Sequence, residues 1–170
     1  MLESNNVKLR KLTLDDADTL AHLGNNINIF QFTSDNFPHP FTKEKAIKFI
    51  NKAIKGENET IFAIEWNGKY VGNTGLHYQK GLERKSVEVG YFIGEEYWGN
   101  GIATEAVKQI CEYGFANLDI NRIIAGVIEG NKGSMRVLEK NGFELEGIMK
   151  QALLKMGKFK DNYRYGLLKS

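Results

Sequence analysis

Residues 91–106 read YFIGEEYWGNGIATEA: a short apolar run, a loop with glycines at 99 and 101, and the opening of a helix. One glycine is enough to punctuate a strand-to-helix turn by supplying a positive φ, yet two stand here one residue apart. A helix start also presents N–H groups without intrahelical partners and a partial positive charge. Glycines just ahead of it let the backbone come close to a bulky anion such as a phosphate. The loop alone admits both readings, a turn or an anion site at Gly99 to Thr104.

The flanks give the class of fold. Upstream, SVEVGYFI alternates as a strand, with Val87, Val89, Tyr91 and Ile93 on one face and Glu88, Gly90 and Phe92 on the other. Downstream, Ile102, Ala106, Val107, Ile110, Cys111, Gly114 and Phe115 recur at helical spacing. Toward the N-terminus, VKLRKL (7–12) reads as a strand and LDDADTLAHLG (14–24) as a short helix ending at Gly24. Residues 25–42 hold both prolines and lack periodicity. Thr42 caps the next predicted helix, with Ala46, Ile47, Phe49, Ile50 and Ile54 as its apolar face. Asn67-Gly68 joins two strands as a tight hairpin. Beyond the glycine loop follow the strand RIIAGVI (122–128), a helix KGSMRVLEK stopped by Asn141-Gly142, and two long strands around Met156-Gly157-Lys158. The pattern predicts one α/β domain spanning residues 1–170, with no linker or repeat.

Composition narrows the function classes. Apolar residues make up 42% and charged residues 26% of 170, as in ordinary globular chains. A net charge of +2 is too small for a polyanion-binding surface, so nucleic acid is not an expected partner. The lone Cys111 has no disulfide or metal-ligating companion, and no metal is expected. MLESNNVKLRKLTLDDADTL lacks the apolar core of a signal peptide. No run reaches the roughly 20 apolar residues a membrane span needs. The expectation is a soluble, cytoplasmic chain without a membrane partner.

Two familiar phosphate loops fit poorly. A P-loop needs Lys then Ser or Thr after its second glycine, where Ile102-Ala103 stand, and a dinucleotide fingerprint needs Gly at Thr104. A nucleotide-binding module is therefore a weak reading. A third loop fits. WGNGIA (98–103), preceded by EVGYFI and followed by NKGSMRVLEKNGF, with FPHPFT ahead of the second helix, resembles the GNAT superfamily of acetyl-CoA-dependent N-acetyltransferases. Within it the chain is similar to the RimJ/RimL-type branch that acetylates ribosomal-protein N-termini. That branch often carries YWGxGxATEA, which accounts for Trp98 where most members have Arg or Gln.

The resemblance implies a mixed, mostly antiparallel sheet of about seven strands flanked by about four helices. It implies acetyl-CoA as cosubstrate, its diphosphate on the backbone of Trp98, Gly99, Asn100, Gly101, Ile102, Ala103 and Thr104, and its pantetheine arm along Tyr91, Phe92 and Ile93. An amide of that strand would hold the oxyanion. Glu88 matches the general base, and an exposed residue paired with Lys85 or Arg84 is its competing reading. Many members protonate the leaving thiolate with a Tyr where Leu138 stands here; the ribosomal branch uses a Ser, matched by Ser134. Asn131 is either an N-cap or a pantetheine contact, or both.

The acceptor is less legible. Phe30, Phe32, Phe37 and Phe41 read partly as core, and the resemblance makes their segment, with Phe32, Phe37 and His39, a wall of the acceptor cleft. His22 and His77 read as surface and structural residues, and Lys155, Lys158 and Lys160 as a solvated hairpin tip. A peptide N-terminus and a small amine (polyamine, amino sugar or antibiotic) are both open as acceptors. So is a non-catalytic acyl-CoA-binding domain, although Glu88 and Ser134 speak against it. Dimers occur in the resembling branch, and the sequence leaves the oligomeric state open.

Overall fold

In a computed structural model that describes residues 2–4 and 6–170, the chain forms one sheet in the strand order β1-β2-β3-β4-β5-β6-β8-β7. The strands are β1 (Leu2–Ser4), β2 (Val7–Arg10), β3 (Glu59–Trp66), β4 (Lys69–Tyr78), β5 (Ser86–Ile93), β6 (Arg122–Ile128), β7 (Glu144–Lys155) and β8 (Lys158–Leu168). The helices are α1 (Ala17–Gly24), α2 (Ile27–Phe30), α3 (Lys43–Lys55), α4 (Ile102–Asn117) and α5 (Lys132–Lys140). The expected layout stands. The strand beyond the expected seven is the three-residue β1, and the additional helix is the single turn α2 inside the aperiodic segment.

Every neighbouring pair is antiparallel except β5 and β6, which α4 connects as a crossover. The two faces of the sheet carry separate apolar clusters. Val87, Val89, Tyr91 and Ile93 meet Ile102, Ala106, Val107 and Ile110 of α4 on one face. Phe92 meets Leu20 of α1 and Ala46 and Ile50 of α3 on the other. The alternation read in SVEVGYFI is this division.

Local chemistry sets the element ends. Thr42 Oγ1 accepts from the Lys45 N–H, capping α3 as expected. Ile54 departs from the predicted apolar face: it is 59% exposed, and Ala53 packs toward the core instead. Asn67 and Gly68 both take positive φ, the geometry of a type I′ hairpin. Gly24 ends α1 for a reason other than turning, since a Cβ there would lie 2.7 Å from the Phe41 ring. Strand β7 is not regular: its register with β8 shifts between Met149 and Leu153, where Asp161 accepts from the Gln151 N–H.

Before α1, the carboxylate of Asp16 takes two hydrogen bonds from Arg10, at 2.7 and 2.9 Å, and one from the Thr13 N–H at 2.9 Å. Burial alone would raise its pKa, but the bonds from Arg10 and Thr13 hold it below the ordinary carboxylate value. Asp16→Asn is expected to cost about 1.5–3 kcal/mol, the worth of a charged hydrogen bond. Because the folded value is the lower one, this contribution is complete above the usual carboxylate range. It is lost as pH falls through the folded value. Urea unfolding across acidic pH should therefore show a shallower acid limb in the variant.

Candidate active site

The parallel ladder between β5 and β6 has only three rungs, Ser86, Val87 and Glu88 against Arg122, Ile123 and Ile124. Beyond Glu88 the strands part: β5 continues on β4 and β6 continues on β8. The edges of Val89 to Ile93 and of Ala125 to Ile128 thus face each other without strand partners, and Glu88 stands at the apex of the opening. Gly72 shows how closely β4 and β5 approach here, since a Cβ on it would lie 2.1 Å from the Phe92 carbonyl oxygen.

At the wide end of the opening lies the glycine loop. Gly99 and Gly101 both adopt left-handed φ, +81° and +74°, so the turn itself uses both glycines. The first bond of α4 is the Glu105 N–H to the Gly101 carbonyl. Among the described residues, the N–H groups of Gly99 to Thr104 have no protein acceptor. A Cβ at either glycine would meet nothing within 4 Å, so both glycines border open space. Successive free amides at a helix start form an anion cradle, and the residues present fit a diphosphate.

The loop is braced on three sides. The Trp98 indole N–H donates to the Ile93 carbonyl at 2.7 Å, which ties the loop back to the end of β5. The Glu95 carboxylate accepts from the side chains of Asn26, which caps α2, and Asn28 within it. Asn141, after α5, donates to the Thr104 carbonyl. Ile102 is buried in the core under α4, which leaves its backbone N–H as the group it can offer a ligand.

The chemistry-bearing side chains are placed as follows. Glu88 Oε1 lies 3.7 Å from Arg164 Nη1. This corrects the competing reading of Glu88: Lys85 pairs with Asp119, Arg84 donates to the Gly81 carbonyl, and the cation comes from β8. Arg164 reaches across β6 over Gly126, whose absent Cβ would sit 3.3 Å from Nη1 and 3.4 Å from Glu88 Oε1. His77 is the cross-strand partner of both Glu59 and Glu88, and its Nδ1 meets the buried Glu59 carboxylate at 2.9 Å. The Asn131 side chain accepts from the Ser134 N–H as an N-cap. Ser134 Oγ lies 2.6 Å from the Tyr91 hydroxyl, and Leu138 is fully buried.

The segment between α2 and α3 divides in two. Phe37 is half-buried and packs edge-on against Phe41 and Phe92 at the margin of the core. Phe32 lies beside Gly130, just past the end of β6, and His39 stacks on Phe30 at 5.0 Å. Lys155 is not the solvated residue the sequence implies: it is 6% exposed, with Nζ 3.6 Å from the centre of the Phe30 ring and 3.2 Å from Asp35. Sequence reasoning missed Arg164, Gly126, Lys155 and the Tyr91 hydroxyl, because each acts through a partner distant in the chain.

Free amides at one end and an unpaired strand edge along the side suit a long ligand with a diphosphate head and an amide-bearing arm, the make-up of a coenzyme A thioester. The chain belongs to the GNAT acetyltransferase family, whose domain it matches over residues 6–144. It is 30% identical to a putative ribosomal N-acetyltransferase, YdaF, of Bacillus subtilis, over 96% of this chain and 91% of that one. It is 27% identical to the spermidine N(1)-acetyltransferase of Escherichia coli strain K12, over 96% and 87%. Its fold matches the microcin C7 self-immunity acetyltransferase MccE, solved with acetyl-CoA and AMP, with a TM-score of 0.85 at 25% identity over 98% and 94% of the two chains. The protein is an acetyl-CoA-dependent N-acetyltransferase. Among the described residues no acidic, His or Cys cluster could hold a metal, and no helix is long and apolar enough to cross a membrane.

Proposed function

We propose that the chain, acting as one domain in the cytoplasm, acetylates the N-terminal α-amine of a protein or peptide. Acetyl-CoA supplies the activated acetyl group. The amides of Gly99 to Thr104 hold its diphosphate, and the free edge of Tyr91 to Ile93 receives its arm as an added strand. Glu88, at the apex, takes the proton of the acceptor amine. An amide of the same edge stabilises the oxyanion, and Ser134 donates to the leaving sulfur. Cys111 takes no part: burial, followed by the neighbouring Glu112, pushes its thiol up to about 12. A buried, unpaired thiol fits a reducing compartment.

The observation that favours a peptide over a polyamine is charge pairing around the opening. Arg164 stands 3.7 Å from Glu88, and a cation beside the base disfavours the second ammonium group that a polyamine carries and a peptide N-terminus need not. The relation to the spermidine enzyme favours the second reading, a small polyamine. A panel of N-terminal peptides, spermidine, spermine and lysine-like amines, assayed by thiol release, separates them. Peptide kcat/KM should exceed that of the polyamines by at least about ten-fold, the effect of 1.4 kcal/mol. A reversed order would remove the peptide reading.

A further inference from the structure

Tyr91 lies on the edge that faces the opening, and its ring belongs to the core under α4 and α5. Its hydroxyl does more than fill that core. It lies 2.6 Å from Ser134 Oγ and 3.3 Å from the Ser134 carbonyl oxygen. The two contacts are unequal. The Ser134 carbonyl stands four residues before Leu138 within α5 and is served by the helix ladder, and 3.3 Å is long for an O–H···O bond. The Ser134 N–H is taken by Asn131. Across the 2.6 Å contact either hydroxyl can be the donor. Where Tyr91 is the donor, the serine's own O–H has no other protein acceptor among the described residues.

The surroundings keep Tyr91 a donor. Its titratable neighbours are Cys111 of α4 and Tyr165 of β8, both neutral, and its hydrogen-bond partner is Ser134 of α5. Burial pushes the phenol up to about 12, so Tyr91 keeps its proton at neutral pH and stays available as a hydrogen-bond donor.

Resting on the role given to Ser134 above, we infer that Tyr91 is a positioning residue: its hydroxyl fixes the Ser134 side chain so that the serine O–H points at the sulfur of coenzyme A. Ser134 gives up no proton. It donates a hydrogen bond to the sulfur that keeps the electron pair of the broken acyl bond, and solvent water then supplies the thiol proton. The proton lost by the amine leaves through Glu88, so the exchange balances.

The test is the titration of the coenzyme A thiol bound to the protein, followed by thiolate ultraviolet absorbance, alongside steady-state kinetics. Tyr91→Phe keeps the ring, and Ser134→Ala removes the same bond from the half-buried first turn of α5. In either variant the bound thiol should titrate about one unit higher than in the wild type, and kcat should fall about ten-fold, with unchanged coenzyme A affinity. The double variant should be no worse than Ser134→Ala alone. If Ser134→Ala shifts the titration and Tyr91→Phe does not, the serine acts unaided and the inference fails by itself. If both leave the titration unmoved and only lower the melting temperature, the hydroxyl pair is core satisfaction, and the role of Ser134 fails with it.

Discussion

Gly101→Val should leave the protein folded and lower its affinity for coenzyme A by about 10²–10⁴-fold, the worth of two charge-assisted hydrogen bonds at ~1.5–3 kcal/mol each. Two effects combine. A β-branched residue is a true outlier at a positive φ, and Gly101 sits at +74°. Its side chain would also enter the open space that Gly101 borders beside the free amides. Gly68 separates the two effects. It has φ +76° with equally empty surroundings and lies in the β3–β4 hairpin, remote in sequence from the loop. Gly68→Val should lose about 1–2 kcal/mol of stability through the same strain and keep its coenzyme A affinity. Calorimetric titration and urea unfolding of both variants decide the matter. Wild-type affinity in folded Gly101→Val would exclude the loop from the site.

The same loop shows what a sequence can disclose. Alternation and helical spacing around residues 86–115 were enough to place β5, α4 and the two faces of the sheet, because each side chain's face follows from backbone period alone. Asn67-Gly68 and Thr42 were legible for the same reason: their chemistry is satisfied within four residues. The parting of β5 and β6 was not, since it depends on where a ladder between residues over thirty apart stops. Arg164 had no local signature as the partner of Glu88; register with β6 and the missing Cβ of Gly126 bring it there. Lys155 misled outright. A lysine beside a hairpin turn is ordinarily hydrated, and only the arrival of Phe30 and Asp35, some 120 positions earlier, covers it. Trp98 was legible as part of the branch motif, but not its bond: the indole N–H stitches the loop to the Ile93 carbonyl, which only the fold brings within reach.

Glu88→Gln should reveal which amine the site is built for. The change keeps the shape and removes the base, and positioned general bases contribute about 10²–10⁴-fold. With a lysine-like amine, of pKa near ~10.4, kcat/KM at neutral pH should fall by that factor. A peptide α-amine, near ~7.7–8.0, is already partly neutral and should lose less. Raising the pH should recover more rate in the variant than in the wild type, because solution then supplies the neutral amine. Arg164 sharpens the measurement. At 3.7 Å it shares the Glu88 carboxylate, so Arg164→Ala should leave the base in place and keep more activity on the lysine-like amine at neutral pH than Glu88→Gln does. The profiles of kcat/KM against pH, taken for both variants with coenzyme A affinity measured separately, carry the decision. If Glu88→Gln superimposes on the wild type, Glu88 is the anionic half of a surface pair with Arg164, and the proton leaves by another route. If it loses only coenzyme A affinity, its role is to hold the apex where β5 and β6 part.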